Sequence, residues 1–386
     1  MRYAFYGTRI LIFGCLSCLL ISGYCFGQTF EIRTENGVRL IKNAKDPSPR
    51  EGAYLQPTLT EDLRIGDTGL PADSAFSALY SFLVDDAEDI IALDNKDMCF
   101  KVFDKNAHFV RRFGRRGQGP DEIQRPMGMM LFRGKDVVIL DQGNNRVTFY
   151  SKEGVCFKRI IIKKTATFIT AMDSRENFYG SAFSFGESVK LNLIKFDQEL
   201  VPVATIASLK MPAEKDIPPP ELMERFYFQV GKDDSLYWGS NFKYEINVTD
   251  PDGKLTKVIS RAAEPEKVTR AFLMRELKKR YPNQIIPESL QIPAHYPKNL
   301  PFFNSFVCDD EGRIFVKTLE NDSLGRVHYD VFDAEGIYIA RLKHPENEEI
   351  VAVKNNKAYA MIKESEKGNP VIRRYRIEWK RTNVVR

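Results

Sequence analysis

Short apolar and polar runs alternate along most of this chain, and the pattern repeats. The stretch DIIALDNKDMCFKVFDKNAHFVRRF, residues 89–113, aligns without a gap to DVVILDQGNNRVTFYSKEGVCFKRI, residues 136–160, at an offset of 47. Asp89 meets Asp136, Asp94 meets Asp141, Phe103 meets Tyr150 and Phe113 meets Ile160. Each copy has an apolar run ending in Asp, a polar turn, a short apolar strand, a second turn and another strand. Alternation on this scale predicts β-strands joined by hairpins.

The unit recurs less regularly downstream. NFYGS leads to LIKFDQELVPVATI, SLYWGS to YEINVTDPDGKLTKVI, GRIFVKT to VHYDVFDAEGIYIARL, and KAYAMI to VIRRYRIEW. The anchors Phe103, Tyr150, Phe196, Val248, Phe332 and Tyr375 are spaced by 47, 46, 52, 84 and 43 residues. A period near 45–50 is about the length of a four-stranded propeller blade. A sheet of that size cannot hide its apolar faces alone, whereas a ring of such sheets hides both. The expected fold is therefore all-β: a six-bladed β-propeller of four-stranded antiparallel blades, with a helical insertion accounting for the long spacing. A sandwich would explain the alternation but not the repetition of whole units. The turns SKEG, DPDG, DDEG and DAEG place Gly where a tight hairpin needs positive φ,. Inner strands are expected at LYSFLV, GMMLFR, TFITAM, RFYFQV, FNSFVC and IVAVK.

The expected organisation is a leader at 1–27, an N-terminal segment at 28–78 and the propeller at 79–386, with an insertion at 260–300. LTEDLRIG, in the N-terminal segment, is expected to give an outer strand to the sixth blade and so close the ring. Within the insertion, EPEKVTRAFLMRELKKRYPN reads as a helix with Pro265 in an early turn and a stripe of Val268, Phe272, Leu273 and Leu277,. The proline-rich QIIPESLQIPAHYPKNLPFF follows and presents His295 and Tyr296 as ligand-contact candidates. A further connection, GRRGQGPDEIQRP at 114–126, presents Arg115, Arg116, Gln118, Asp121 and Glu122 on the expected channel-mouth face. It matches neither dinucleotide nor P-loop spacing.

The first residues differ in kind. Arg2 and Arg9 precede the apolar run LIFGCLSCLLIS, and small residues lead to a cleavage point after Gly27,. The run is short for a bilayer span of about 20 residues, so the expectation is a periplasmic or secreted protein without a stable transmembrane span. Lipid anchoring to the envelope through a leader cysteine is the alternative. Cleavage leaves Cys99, Cys156 and Cys308, an odd set without CxxC spacing, read as buried thiols with one Cys99–Cys156 bridge as an option,. His108, His295, His328 and His344 are too scattered for a zinc motif,. The formal charge of +5 falls to +3 without Arg2 and Arg9, too little to suggest a nucleic-acid partner,. The 27 Phe and 16 Tyr suit strands packed face to face.

The stretch FGRRGQGPDEIQRP followed by KDVVILDQGNNRVTFYSKEG resembles an NHL-type repeat. Gly117, Gly119, Pro120 and Glu122 match its connection, Asp141, Asn144 and Arg146 its acidic turn, and Gly154 its hairpin. Ile123 replaces the common aromatic residue, and Asp121 stands where Gly is frequent. The first unit keeps Asp94 but has Asp97 and Cys99 in place of Asn144 and Arg146. More widely, the chain resembles exported bacterial six-bladed propellers of mostly unassigned function. The resemblance implies that Asp94, Asp141, Asn144 and Arg146 organise turns and blades rather than perform chemistry.

The expected inner strands hold almost no carboxylate or His, although Asp85, Asp86, Asp173, Asp233, Asp309 and Asp310 lie at strand ends. No nucleophile, base and orienting group can be assembled from position. The favoured reading is a noncatalytic binding or scaffold propeller, without cofactor, recognising an envelope protein or a small molecule on its channel-mouth face. The alternatives are a calcium-dependent hydrolase or lactonase-like enzyme, a zinc-dependent propeller lyase, and a structural component of an envelope assembly.

Overall fold

In the computed structural model, six sheets stand around a common axis. The structure describes residues 30–66, 71, 73–163, 167–287, 290–365 and 368–384. The leader assigned to 1–27, with Cys15, Cys18 and Cys25, lies outside the described residues. Numbered along the chain, blade 1 comprises Leu79–Val84, Ile90–Asp94, Cys99–Phe103 and Phe109–Phe113. Blade 2 comprises Pro126–Phe132, Asp136–Asp141, Arg146–Tyr150 and Cys156–Ile161. Blade 3 comprises Thr167–Met172, Phe178–Ser184, Lys190–Phe196 and Pro202–Lys210. Blade 4 is built on Phe226–Val230, Leu236–Ser240, Glu245–Thr249 and Leu255–Arg261. Blade 5 comprises Phe303–Cys308, Ile314–Asn321, Arg326–Phe332 and Tyr338–Pro345. Blade 6 comprises Glu349–Lys354, Lys357–Ile362, Val371–Asn383 and, as its outer strand, Ala53–Gly66.

All six repeat anchors fall on third strands, and the six expected inner strands are the first strand of each blade. Those inner strands contact one another in sequence, and the last returns to the first. The burial pattern explains the ring. In blade 1 the second and third strands are buried at every residue, because each face meets a neighbouring blade, while the outer strand alternates,. The core is accordingly six separate wedges between blades. Ile91, Leu93 and Phe100 meet Val137, Ile139 and Tyr150 between blades 1 and 2; Phe315, Tyr329 and Val331 meet Ile350, Ala358 and Tyr375 between blades 5 and 6.

Several hairpins share one device. An Asp carboxylate caps the amides two and four residues on, as Asp85 does for Ala87 and Asp89, Asp173 for Arg175 and Asn177, and Asp309 for Glu311 and Arg313,. The residue three places on then has positive φ. At Gly154, in a turn where Ser151 stands in place of the Asp and φ is 92°, an added Cβ would meet Phe113 at 2.5 Å. Glu88, Ala107, Glu176 and Leu200 take the same conformation without being Gly, a use of non-glycine residues that the sequence pattern conceals.

The N-terminal segment forms a clasp. Val38–Asn43 pairs parallel to the outer strand of blade 4, and Phe30–Glu35 pairs with it as a sixth strand. The chain then passes blade 5: the Asn43 side chain donates to Ser260 O and Gly336 O and accepts from Tyr338 N. Ala53–Gly66 finally pairs with Val371–Asn383 over their whole length.

The insertion contains one helix, Arg270–Arg280, between blades 4 and 5. It starts later than its sequence pattern suggests. Thr269 caps it by accepting from Phe272 N at 3.1 Å, and Pro265 belongs to the extended lead-in,. Lys278, Lys279 and Arg280 fill its last turn, where the helix dipole favours cations,. Cys99, Cys156 and Cys308 are all free thiols, so the Cys99–Cys156 bridge is not formed. Among the described residues, no helix is long and apolar enough to cross a membrane.

Candidate functional site

Because every blade has four antiparallel strands, all blade-to-blade connections emerge on one face of the ring. On that face the insertion folds over blades 4 and 5. Val268, Phe272 and Leu273 bury against Leu222 and Leu300 in a satellite core of their own. The lead-in and exit of the insertion are joined where Val268 N donates to Lys298 O and Leu300 N to Glu266 O. Arg280 forms an ion pair with Glu221 of the blade 3–4 connection, and Lys279 reaches Glu346 of the blade 5–6 connection at 2.8 Å. The helix is thus tied down at both flanks.

Beneath this roof lies a cleft of about 380 Å³. Its walls come from Tyr227 and Asn304 on two inner strands, from Lys317, Thr318 and Leu319 on the second strand of blade 5, and from Arg225, Phe272, Arg275 and Glu346. Asn241 builds one corner: its amide oxygen accepts from Arg225 N at 3.0 Å, and its nitrogen donates to Met223 O at 3.2 Å. The cleft's acids are engaged, Glu221 by Arg280 and Glu276 by Arg275 at 2.8 Å. Burial holds the Lys317 ammonium below the ordinary lysine range, against the opposing pull of Glu349 and Glu346,.

The residues singled out from sequence occupy other places. In the 114–126 connection, Arg115–Arg116 pairs parallel with Glu122–Ile123, and strand Pro126–Phe132 follows directly. Arg115 Nε donates to Glu122 at 2.9 Å, Arg116 to Lys96 O at 3.1 Å, and Arg159 of blade 2 reaches Asp121 at 2.9 Å. Arg116 and Gln118 are exposed. This connection joins blades 1 and 2, three blades round the ring from the insertion, so the two candidate loops share a face without meeting. His295 is exposed and stacks edge-on to Tyr296, with ring centres 4.9 Å apart. Tyr296 itself packs on the helix core, and neither residue lines the cleft.

The repeat-motif residues bind connections. Asp141 accepts from Gln124 N and Arg125 N; Asn144 donates to Asp141 and to Gly117 O; Arg146 donates to Gly119 O and Glu122 O. In blade 1 the Arg146 position is Cys99, and Lys101 supplies the missing cation. Lys101 points to the same face two residues on, is fully buried, and bonds Asp94 and Asp97, each at 2.9 Å,. A lysine at i+2 in an otherwise apolar strand is the feature from which this could have been read.

Burial opposes the Asp94 carboxylate, but Lys101 and the amides of Ser77 and Asp97 outweigh it and hold the group below the ordinary aspartate range. Asp94 therefore stabilises the fold above about pH 4, and that contribution disappears as pH falls through its lower folded value. Lys101→Met should cost about 2–3 kcal/mol rather than more, because the backbone amides still serve Asp94,. Urea denaturation at pH 7 checks this, and a change near zero would show that Lys101 is dispensable.

The strand-end carboxylates are occupied too. Asp85, Asp173 and Asp309 cap the turns described above, and Asp233 accepts from Ser235 N and Oγ. These turns lie on the face opposite the cleft. Asp86 and Asp310 bond Lys354 and Asn355 N of blade 6. Among the described residues, no three His, Cys, Asp or Glu side chains come together as a metal-ligating group.

Solved structures with this architecture are distant in sequence. A Bacteroides fragilis protein described as exported matches with TM-score 0.51 at 11% identity, over 88% of this chain and 99% of its own. A member of the DUF4221 family from Bacteroides vulgatus matches with TM-score 0.50 at 12% identity, over 86% of this chain and 100% of its own. A Xanthomonas campestris gluconolactonase matches with TM-score 0.43 at 11% identity, over 76% of this chain and 83% of its own. No protein-family model and no curated protein sequence matches the chain. At such identities the likeness to the two Bacteroides proteins is one of fold alone.

Proposed function

We propose that this protein is a noncatalytic binding propeller, working beyond the cytoplasmic membrane, that holds a small polar molecule in the roofed cleft over blades 4 and 5. The observation behind this reading is the construction of the cleft. Three connections and two inner strands converge on one hollow, and an inserted helix is anchored across it by ion pairs on both sides. Ligand pockets are concave, largely preformed, and provided with a few placed polar groups. The acids Glu221, Glu276 and Glu346 are paired with cations of the roof, an arrangement that suits recognition better than proton transfer. The 114–126 connection is the weaker candidate, since Arg115, Asp121 and Glu122 already have partners within the protein.

Asn304→Trp tests the assignment. Asn304 is exposed on an inner strand and lines the cleft, so an indole there fills the hollow without entering a core wedge. A thermal-shift screen of small polar metabolites should find compounds that stabilise the wild type and not the variant, with equal melting temperatures in their absence. Equal stabilisation of both proteins would remove the cleft from consideration.

A further inference from the structure

Two cations of the cleft stand outside the ion pairs that hold its roof. Arg225 donates to the Pro220 carbonyl at 2.9 Å and has no carboxylate partner among the described residues. Lys317 is half-buried on the second strand of blade 5, opposite Ser305 and Tyr329. Its titratable surroundings are Glu346 from the blade 5–6 connection, Glu349 from the inner strand of blade 6, Lys279 from the helix and the neutral His344 from the outer strand of blade 5. None of these bonds the ammonium; Glu346 is instead turned to Lys279. A half-buried ammonium that no carboxylate bonds directly is left under-satisfied, and a bound anion would supply the missing contact.

We propose that the cleft takes a small organic anion, a carboxylate or phosphate monoester on a hydrogen-bonding scaffold, whose negative group pairs with Lys317. This rests on the cleft being the binding site. Arg225 provides a second cation, and Asn304 and Asn321 offer amides to the polar body of the ligand,. The bound anion favours the charged form of Lys317, so binding takes up protons at alkaline pH, where the free amine begins to lose its proton,.

Titration calorimetry of the full chain at neutral and alkaline pH, in buffers of different ionisation enthalpy, tests this. The probes are malate, citrate, glycerol phosphate, inorganic phosphate and the neutral diamide of malate. The expected result is binding of at least one organic anion, with proton uptake at alkaline pH, weakened about tenfold or more by Lys317→Met. Lys317→Arg should keep the binding and abolish the proton uptake, because the guanidinium stays charged throughout. It also gives a reading if the Met variant fails to fold. Preference for carboxylate or phosphate probes decides between the two anion types. Inorganic phosphate binding alone, unaltered binding in both variants, or no binding of any anion would overturn the proposal. A neutral diamide that binds as well as malate, and is lost with Asn304→Trp, would overturn the anion assignment while leaving the cleft in place.

Discussion

Removing residues 1–66 should abolish cooperative folding. The outer strand of blade 6 would be lost, and with it the pairing of Ala53–Gly66 to Val371–Asn383. Leu63 and Ile65 are buried in the wedge between blades 6 and 1, and Leu55 and Leu59 pack on the wedge between blades 5 and 6. Both wedges would open. The same truncation takes away Asn43, whose side chain bonds Ser260, Gly336 and Tyr338, and Arg50, which pairs with Asp333 at 3.1 Å. Net stability of a domain is about 5–15 kcal/mol, less than the loss of a strand and two half-exposed wedges would take away. Circular dichroism melting should show no cooperative transition for the truncated chain. A sharp transition near that of the intact protein would mean that the ring does not depend on its closing strand.

Asp330→Ala should be the most damaging single substitution. Asp330 is fully buried on the third strand of blade 5. Its carboxylate accepts from Tyr244, from Tyr338 at 2.9 Å, from Arg261 at 2.9 Å and from Arg341 at 2.8 Å. Arg261 and Tyr244 belong to blade 4, so the carboxylate is a charged rivet between two blades. Arg261 also donates to Lys45 O, and Arg341 to Glu320 at 2.7 Å, which joins the clasp and the blade surface to the same centre. Removing the acid leaves the almost wholly enclosed Arg261 guanidinium without its hydrogen-bonded carboxylate, with only Glu320 at 3.6 Å, a change that costs about 3–5 kcal/mol,. Asp330→Asn keeps the shape and loses the charge, and should fall between wild type and Ala. Guanidinium denaturation measures all three, and a loss below about 1 kcal/mol for Ala would contradict the rivet.

The propeller was legible because its physics is periodic. Anchors such as Phe103 and Tyr150 recur at blade length, inner strands such as LYSFLV and FNSFVC stand out as apolar runs, and Gly154, Gly253, Gly312 and Gly336 mark hairpins at fixed places. The candidate site was not legible, because nothing about it repeats. Tyr227 lies 77 residues before Asn304, and within GRIFVKT the lysine is indistinguishable from any strand residue that faces solvent. Its half-buried setting among groups of blade 6, the blade 5–6 connection and the helix is assembled from distant segments. Val38–Asn43 was similarly opaque: it pairs parallel with Leu255–Arg261 across most of the chain, and no local pattern records a partner at that distance. Lys101 shows a milder form of the same problem, since the cation of the repeat had moved two residues along its strand.

The most direct test of the account is a crystal structure after soaking with small polar fragments that shift the melting temperature. Fragment density is expected under the Arg270–Arg280 helix, in contact with Tyr227, Asn304 or Lys317. Fragments collecting instead along the 114–126 connection or at the propeller axis, with the roofed cleft left vacant, would contradict it.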